Sequence, residues 1–318
     1  MRELLKRVAC ALKSSSWSRW ASALFLWGAI GLSLYHLGQL GWEKIAAKLP
    51  TSPWFYGLFL VLYLSLPLSE LWVYRRLWRF PLREGLRAFL VKKVYNRDLL
   101  GYSGEAYLLF WAQRVAGVSP RQAWLGVKDN NLLSALISSI TAVGILLALL
   151  LSDATLAGQL LPRADRLSWA ACALGLLLLG AIAYRFRRVL FQLPRRVLLE
   201  LAGVHTGRLI LVHALTVCMW WAGAPEVPLR GWLTLLALDI LSARLPALPG
   251  KDVLVMNLQI ALAGSLALPA AAVAALFLAQ TALDKLLNVL VLLLQVGNLS
   301  PRGAFKGAQA SASETHLA

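Results

Sequence analysis

Ionisable side chains recur inside stretches of this chain that are otherwise apolar: Glu70, Glu105, Asp129, Asp239, Arg244, Lys251, Asp252, Asp284 and Lys285. A charge at the centre of a bilayer costs at least roughly 2.5–3.5 kcal/mol, so each such residue marks a substrate, ion or proton path unless an internal partner neutralises it. Glu105 stands out because Gly101 and Gly104 let backbone approach closely beside it. It reads as a cation or head-group contact or a proton carrier, or else as a carboxylate paired with a nearby Arg or a free helix-end amide. Arg244 and Lys251 flank Pro246 and Pro249. Together they offer a lipid phosphate one forked contact and one point charge. The alternative pairs Arg244 with Asp239 and Lys251 with Asp252, for packing alone. Asp129 and Asp284 occupy comparable places on two long apolar segments, and Asp284 with Lys285 interrupts the second near its middle.

Two breaks must position these groups. Leu100-Gly101-Tyr102-Ser103-Gly104-Glu105 and Pro246-Ala247-Leu248-Pro249-Gly250-Lys251-Asp252 each set Gly or Pro beside charge. Each is followed by an apolar run, a helix start (Ser119-Pro120, Leu268-Pro269) and a long hydrophobic helix with one aspartate. Unwound backbone is tolerated at membrane depth only where protein or a water-filled cavity surrounds it. A pair of such breaks in corresponding positions of two halves points to a transporter-type site. The plain alternative is a Gly/Pro kink in each of two ordinary helices.

Composition sets the class. Of 318 residues 59% are hydrophobic and 15% charged, with 13 Trp, which predicts an all-α, polytopic helical membrane protein. Spans are expected at about 20–40, 54–74, 131–152, 167–184, 207–222 and 269–296. The stretch from Trp20 is too long for a signal peptide and reads as a retained span. The net charge of +17 is one-sided: 24 of the 32 basic residues fall in segments assigned to the cytoplasmic face. That is the positive-inside bias, and nucleic acid is not needed to explain it. Segments 75–97 and 185–208 are read as cytoplasmic topology signals. Both termini are then cytoplasmic, provided 83–118 and 229–265 are re-entrant hairpins that dip in from opposite faces, which is an inverted repeat. The whole chain, 1–318, reads as one integral membrane domain, with 1–19 a cytoplasmic segment and 297–318 a disordered cytoplasmic tail. Trp54, Trp72, Trp78, Trp220, Trp221 and Trp232 are expected in interfacial belts.

Metal, cofactor and enzyme signals are poor. Cys10, Cys172 and Cys218 are scattered, as are His36, His205, His213 and His316, so no metal site and no cofactor are expected. No nucleophile elbow, P-loop or His-Glu-x-x-His motif occurs. An intramembrane enzyme would have to use Asp98, Glu105 and Asp129.

The run Tyr95-Asn96-Arg97-Asp98-Leu99-Leu100-Gly101-Tyr102-Ser103-Gly104-Glu105, with Gly117-Val118-Ser119-Pro120 and Asp129, resembles the lysylphosphatidylglycerol synthase transmembrane family of flippase-like proteins. So do Leu245-Pro246-Ala247-Leu248-Pro249-Gly250 and Leu268-Pro269. The family pattern has Pro where this chain has Leu100, and Arg where it has Leu108. Its second motif runs Pro-Gly-Gly-x-Gly towards a glutamate, where this chain has Lys251-Asp252-Val253 and then Met256-Asn257. The resemblance implies a bacterial inner-membrane, multi-pass lipid or lipid-linked-molecule flippase, with a polar cavity between the two hairpins. The alternative is a non-transporting membrane partner of a lipid- or glycan-modifying enzyme. With no aminoacyl-transferase domain after residue 318, synthase activity is not expected. Cavity candidates are Glu105, Arg244, Lys251, Asp252, Asp284, Asp129, Asn96 and Tyr102; hinge candidates are Gly101, Gly104, Pro246, Pro249 and Gly250. The partners expected are the bilayer, a phospholipid or other amphipathic lipid, and a second copy of the chain. Leu108 and Lys251 shift positive charge to the second motif, so an anionic head group would be gripped mainly from the second hairpin.

Overall fold

The structure, a computed structural model, describes residues 35, 37–39, 41–99, 102–152, 185, 190–242 and 251–298. All regular elements among them are helical. They are α1 (Trp42–Ala46), α2 (Pro53–Leu77), α3 (Leu82–Val94), a π-helical turn (Tyr95–Leu99), α4 (Ser103–Val115), α5 (Pro120–Ser152), α6 (Arg195–Gly223), α7 (Leu229–Ser242), α8 (Lys251–Ser265) and α9 (Ala270–Asn298). Proline punctuates six of the nine described helix starts. α2 and α5 begin on Pro53 and Pro120, whose missing N–H costs nothing in a first turn. Pro81, Pro194, Pro228 and Pro269 each immediately precede a helix. Before α5 the Ser119 hydroxyl accepts the Gln122 N–H at 3.3 Å while Gln122 Oε1 accepts the Ser119 N–H at 3.1 Å, a reciprocal capping box.

Among the described residues three helices are long and apolar enough to cross a membrane: Pro53–Leu77, Arg195–Gly223 and Ala270–Leu294. They coincide with the spans expected at 54–74, 207–222 and 269–296. The middle one begins twelve residues earlier than expected, because the ionisable residues taken as its boundary lie within the helix. Segment 131–152 is the later part of α5. The expected spans 20–40 and 167–184 lie wholly or largely outside the described residues.

The chain forms two compact units. The unit containing 212–279 buries Trp220, Trp232 and Phe277, with ring centroids 5.2–6.4 Å apart. Around them Ala272 to Phe277 is buried without interruption, as in a helix enclosed on all sides. α7 and α8 pack on each other here. Outside the spans, Lys48 Nζ meets Glu226 Oε1 at 3.0 Å. A hydrogen bond from Glu226's own backbone, then Lys48, holds that carboxyl below its ordinary range. Its contribution is present above the ordinary carboxylate pKa and is lost as pH falls through the depressed one.

The other unit contains 60–138, 163–211 and 280–318. Its core joins Val73, Tyr74, Trp78, Phe89, Leu108, Ala112, Val127, Leu133 and Leu201. α3 and α4 pack as a helical pair bridged by the π-turn. Trp78, Trp220 and Trp232 were expected in an interfacial belt and are instead core residues with aromatic neighbours, whereas Trp54, Trp72 and Trp221 are exposed. Leu108 is fully buried within this apolar cluster.

Gly104 is where α4 approaches α3. A Cβ added there would collide with the Lys92 carbonyl oxygen and lie 2.7 Å from Asn96 Oδ1, whereas one added at Gly203 meets nothing within 4 Å. Gly104→Ala is therefore expected to destabilise the protein by about 1–3 kcal/mol. Gly203→Ala should stabilise it by roughly 0.5–1 kcal/mol. Thermal unfolding of the detergent-purified protein measures both, and equal effects would remove the close-approach argument.

Candidate functional site

The stripe Gly85, Ala88, Phe89 is the buried face of α3, and Lys92 continues it. Lys92 is 3% exposed. Its ammonium pairs directly with Glu70 of α2 and, at 3.3 Å, with Glu105 Oε1 of α4. Glu105 Oε2 is buried without a hydrogen-bond partner. Beside this pairing lies a polar chain: Asn130 Nδ2 donates to the Tyr74 hydroxyl at 3.3 Å, and Asn130 Oδ1 lies 2.9 Å from His205 Nε2. The amide oxygen faces the ring, so Nε2 carries the proton and donates.

A second network forms one turn further on. Arg97 grips Asp284 of α9 with two nitrogens, at 3.1 and 3.2 Å. Lys93 lies 3.9 Å from the same carboxylate. Asp98 pairs with Lys285 and accepts the Asn288 amide at 2.6 Å; that amide also reaches Asp284 at 3.3 Å. The Tyr63 hydroxyl donates to Asn288 Oδ1 at 2.7 Å. Lys93 donates to the Tyr63 carbonyl at 2.9 Å. This last bond has a cause in the sequence: Pro67 lies inside α2 and has no N–H for the carbonyl four residues before it. In an apolar medium that carbonyl needs another donor, and Lys93 supplies it.

The sequence candidates fall differently about these networks. Glu105 and Asp284 each stand in one. Asn96 is structural in this geometry, its Oδ1 accepting the Gly104 N–H at 2.7 Å. Tyr102 is exposed and holds a left-handed backbone at φ 69°, so the strained position falls beside the expected glycine hinge. Asp129 is fully buried, and its Oδ2 accepts the Gln192 and Leu193 N–H groups at 2.7 Å each. Its Oδ1 forms an ion pair with Lys128 at 2.8 Å without a hydrogen bond. That carboxylate latches the approach to α6. Asp239 lies on an exposed side of α7. Lys251 and Asp252 open α8. Gly101, Arg244, Pro246, Pro249 and Gly250 lie outside the described residues.

Lys92, Lys93, Arg97 and Arg208 fall in the segments that the sequence assigns to the cytoplasmic face as topology signals. All four sit on helices or the π-turn, Lys92 and Lys93 inside the networks with side chains at most 10% exposed. The signal for Lys92 was its helical spacing from Ala88 and Phe89; for Lys93 it was Pro67. A groove of about 280 Å³ lined by Leu133, Arg195, Leu198, Leu199 and Ala202 is nearly all apolar and holds none of the network residues. Among the described residues no group of His, Cys, Asp or Glu is arranged to hold a metal ion. No protein-family model matches the chain, and no curated protein matches it significantly.

Two stability tests follow from the pairing. Lys92→Met leaves two buried carboxylates without a cation and should cost about 3–5 kcal/mol; adding Glu70→Gln and Glu105→Gln should restore most of it. A single variant that melts like wild type would refute the buried pairing. Lys93→Met should cost less in a Pro67→Ala background, where the Tyr63 carbonyl regains its helical donor. A double-mutant cycle should show coupling of about 0.5–3 kcal/mol, and additivity would break the proposed link.

Proposed function

We propose that the chain is a lipid or lipid-linked-molecule translocator of the bacterial inner membrane, of the flippase-like kind its motifs resemble. The observation that carries this reading is Asp284, a carboxylate well inside a helix apolar enough to span the bilayer and gripped by Arg97 and Lys93. A charge maintained at that depth, with its partners arriving from the helical pair α3–α4, is what a polar head-group path requires. In this reading α3–α4 and α7–α8 are the two re-entrant hairpins of an inverted repeat, six spans hold both termini in the cytoplasm, and acyl chains stay in the bilayer while the head group passes the networks. Exchangeable ion pairs supply the mechanism: a head-group phosphate replaces Asp284 or Asp98 as the partner of Arg97 or Lys285, and the displaced carboxylate takes it back on release.

A second reading has its own support. Lys92, Arg97 and Lys285 already have internal carboxylates, which also suits a rigid membrane partner of a lipid- or glycan-modifying enzyme.

Vesicles containing the purified protein and a fluorescent phospholipid separate the two. The transport reading expects labelled lipid to become accessible to an external quencher faster than in protein-free vesicles. It also expects Glu105→Gln, Arg97→Gln or Lys251→Gln to slow that step about tenfold or more. Unaccelerated exchange, together with co-purification of a synthase, would favour the partner reading instead.

A further inference from the structure

Arg208 lies on α6, within a helix apolar enough to span the membrane. Its Nε is buried and has no hydrogen-bond partner. Glu70 acts on it through space, yet Glu70 is already committed to Lys92. Glu200, the carboxylate two turns earlier on the same helix, is committed to Arg76 and Arg196. One turn before Arg208, His205 is 4% exposed, and its Nδ1 is buried and unpartnered too. Its other nitrogen is fixed by Asn130, whose own amide is oriented by the Tyr74 hydroxyl and Asn131 Oδ1. The ring therefore cannot turn to satisfy Nδ1 without losing that bond.

Proteins rarely leave a buried guanidinium nitrogen and a buried imidazole nitrogen unsatisfied three residues apart on one helix face. The arrangement is unfavourable alone and becomes favourable when a ligand brings the missing atoms. Guanidinium is a planar, always-charged fork whose geometric match is an oxyanion. Nδ1, the bare acceptor of the neutral ring, suits a P–OH group, and after taking up a proton it donates to an ionised oxygen. Lys92 and Arg208 both act electrostatically at His205.

We propose that Arg208 and His205 form a phosphate-binding site, with Arg208 taking the phosphate oxygens and His205 Nδ1 the remaining hydrogen bond. The ligand is a phosphate group, presented by a lipid head group or free from water. The lipid form deepens the translocation reading and rests on it; the free-phosphate form does not.

The test uses the full chain in neutral detergent. Its melting temperature is followed against inorganic phosphate, short-chain phosphatidylglycerol and, as the phosphate-free control, short-chain diacylglycerol. Wild type should be stabilised by phosphate, by phosphatidylglycerol or by both, and not by diacylglycerol; the effective probe identifies the source. Arg208→Met should weaken that binding about tenfold or more, and Arg208→Lys less, since it keeps the charge and loses the fork. Ligand-free Arg208→Met should melt at or above wild type, because a poorly satisfied charge has been removed.

Three binding outcomes overturn the site: no response of wild type to either phosphate probe, an equal response to diacylglycerol, or unchanged phosphate binding in Arg208→Met. A ligand-free Arg208→Met that melts well below wild type would overturn it as well, by making Arg208 a structural residue. Transport is scored separately. Phosphate binding by a protein that moves no lipid removes the translocation reading and keeps the site; lipid movement with unchanged phosphate binding in Arg208→Met does the reverse.

Discussion

One ammonium group holds three helices of the unit that contains 60–138 to a common point. Lys92 of α3 meets Glu70 of α2 and Glu105 of α4, and everything else in that network is placed relative to it. In water such pairs would contribute little, because solvent screens them. Away from water the attraction is strong, and so is the penalty for losing one member. The close approach at Gly104 belongs to the same constraint: α4 can bring Glu105 to Lys92 only because nothing larger than hydrogen stands between its first turn and the Lys92 carbonyl.

Backbone and side-chain chemistry are tied together in the same way at Pro67. A proline in a spanning helix strands a carbonyl, and a lysine from the neighbouring helix supplies the missing donor. Lys93 thus serves the backbone of α2 and lies near Asp284 at once. Asp129 shows the converse, a carboxylate at depth whose partners are the backbone amides that lead into α6. Buried charges here thus answer other side chains, complete the main chain or, as at Lys93, do both.

Much of this could be read before the coordinates. Pro120 and Pro269 mark helix starts, three of the spans follow from length and hydropathy, and Glu105 and Asp284 stand out as charges in apolar surroundings. The basic residues of 75–97 and 185–208 could not be sorted by the same means. Counting them as loop charges treats each lysine and arginine alike, whereas position on the helix decides whether the side chain meets water or a carboxylate. Lys92 continues the stripe of Ala88 and Phe89, and Arg87 does not. The partners of Arg97 lie nearly two hundred residues away in sequence, beyond any local pattern.

The π-turn at Tyr95–Leu99 has a consequence for chain length. In an α-helix each residue advances by about 100°, so a side chain five positions along points well away from the first. A π-turn bonds residue i to i+5 and so stacks those two positions. Lys93 and Asp98 are five apart, and Arg97 sits between them in register with Lys93. The one residue of surplus is what lets a basic face carry an acid as well, so that the segment presents both charges to α9. Shortening it by a single residue would turn Asp98 to another side, breaking one helix face into two.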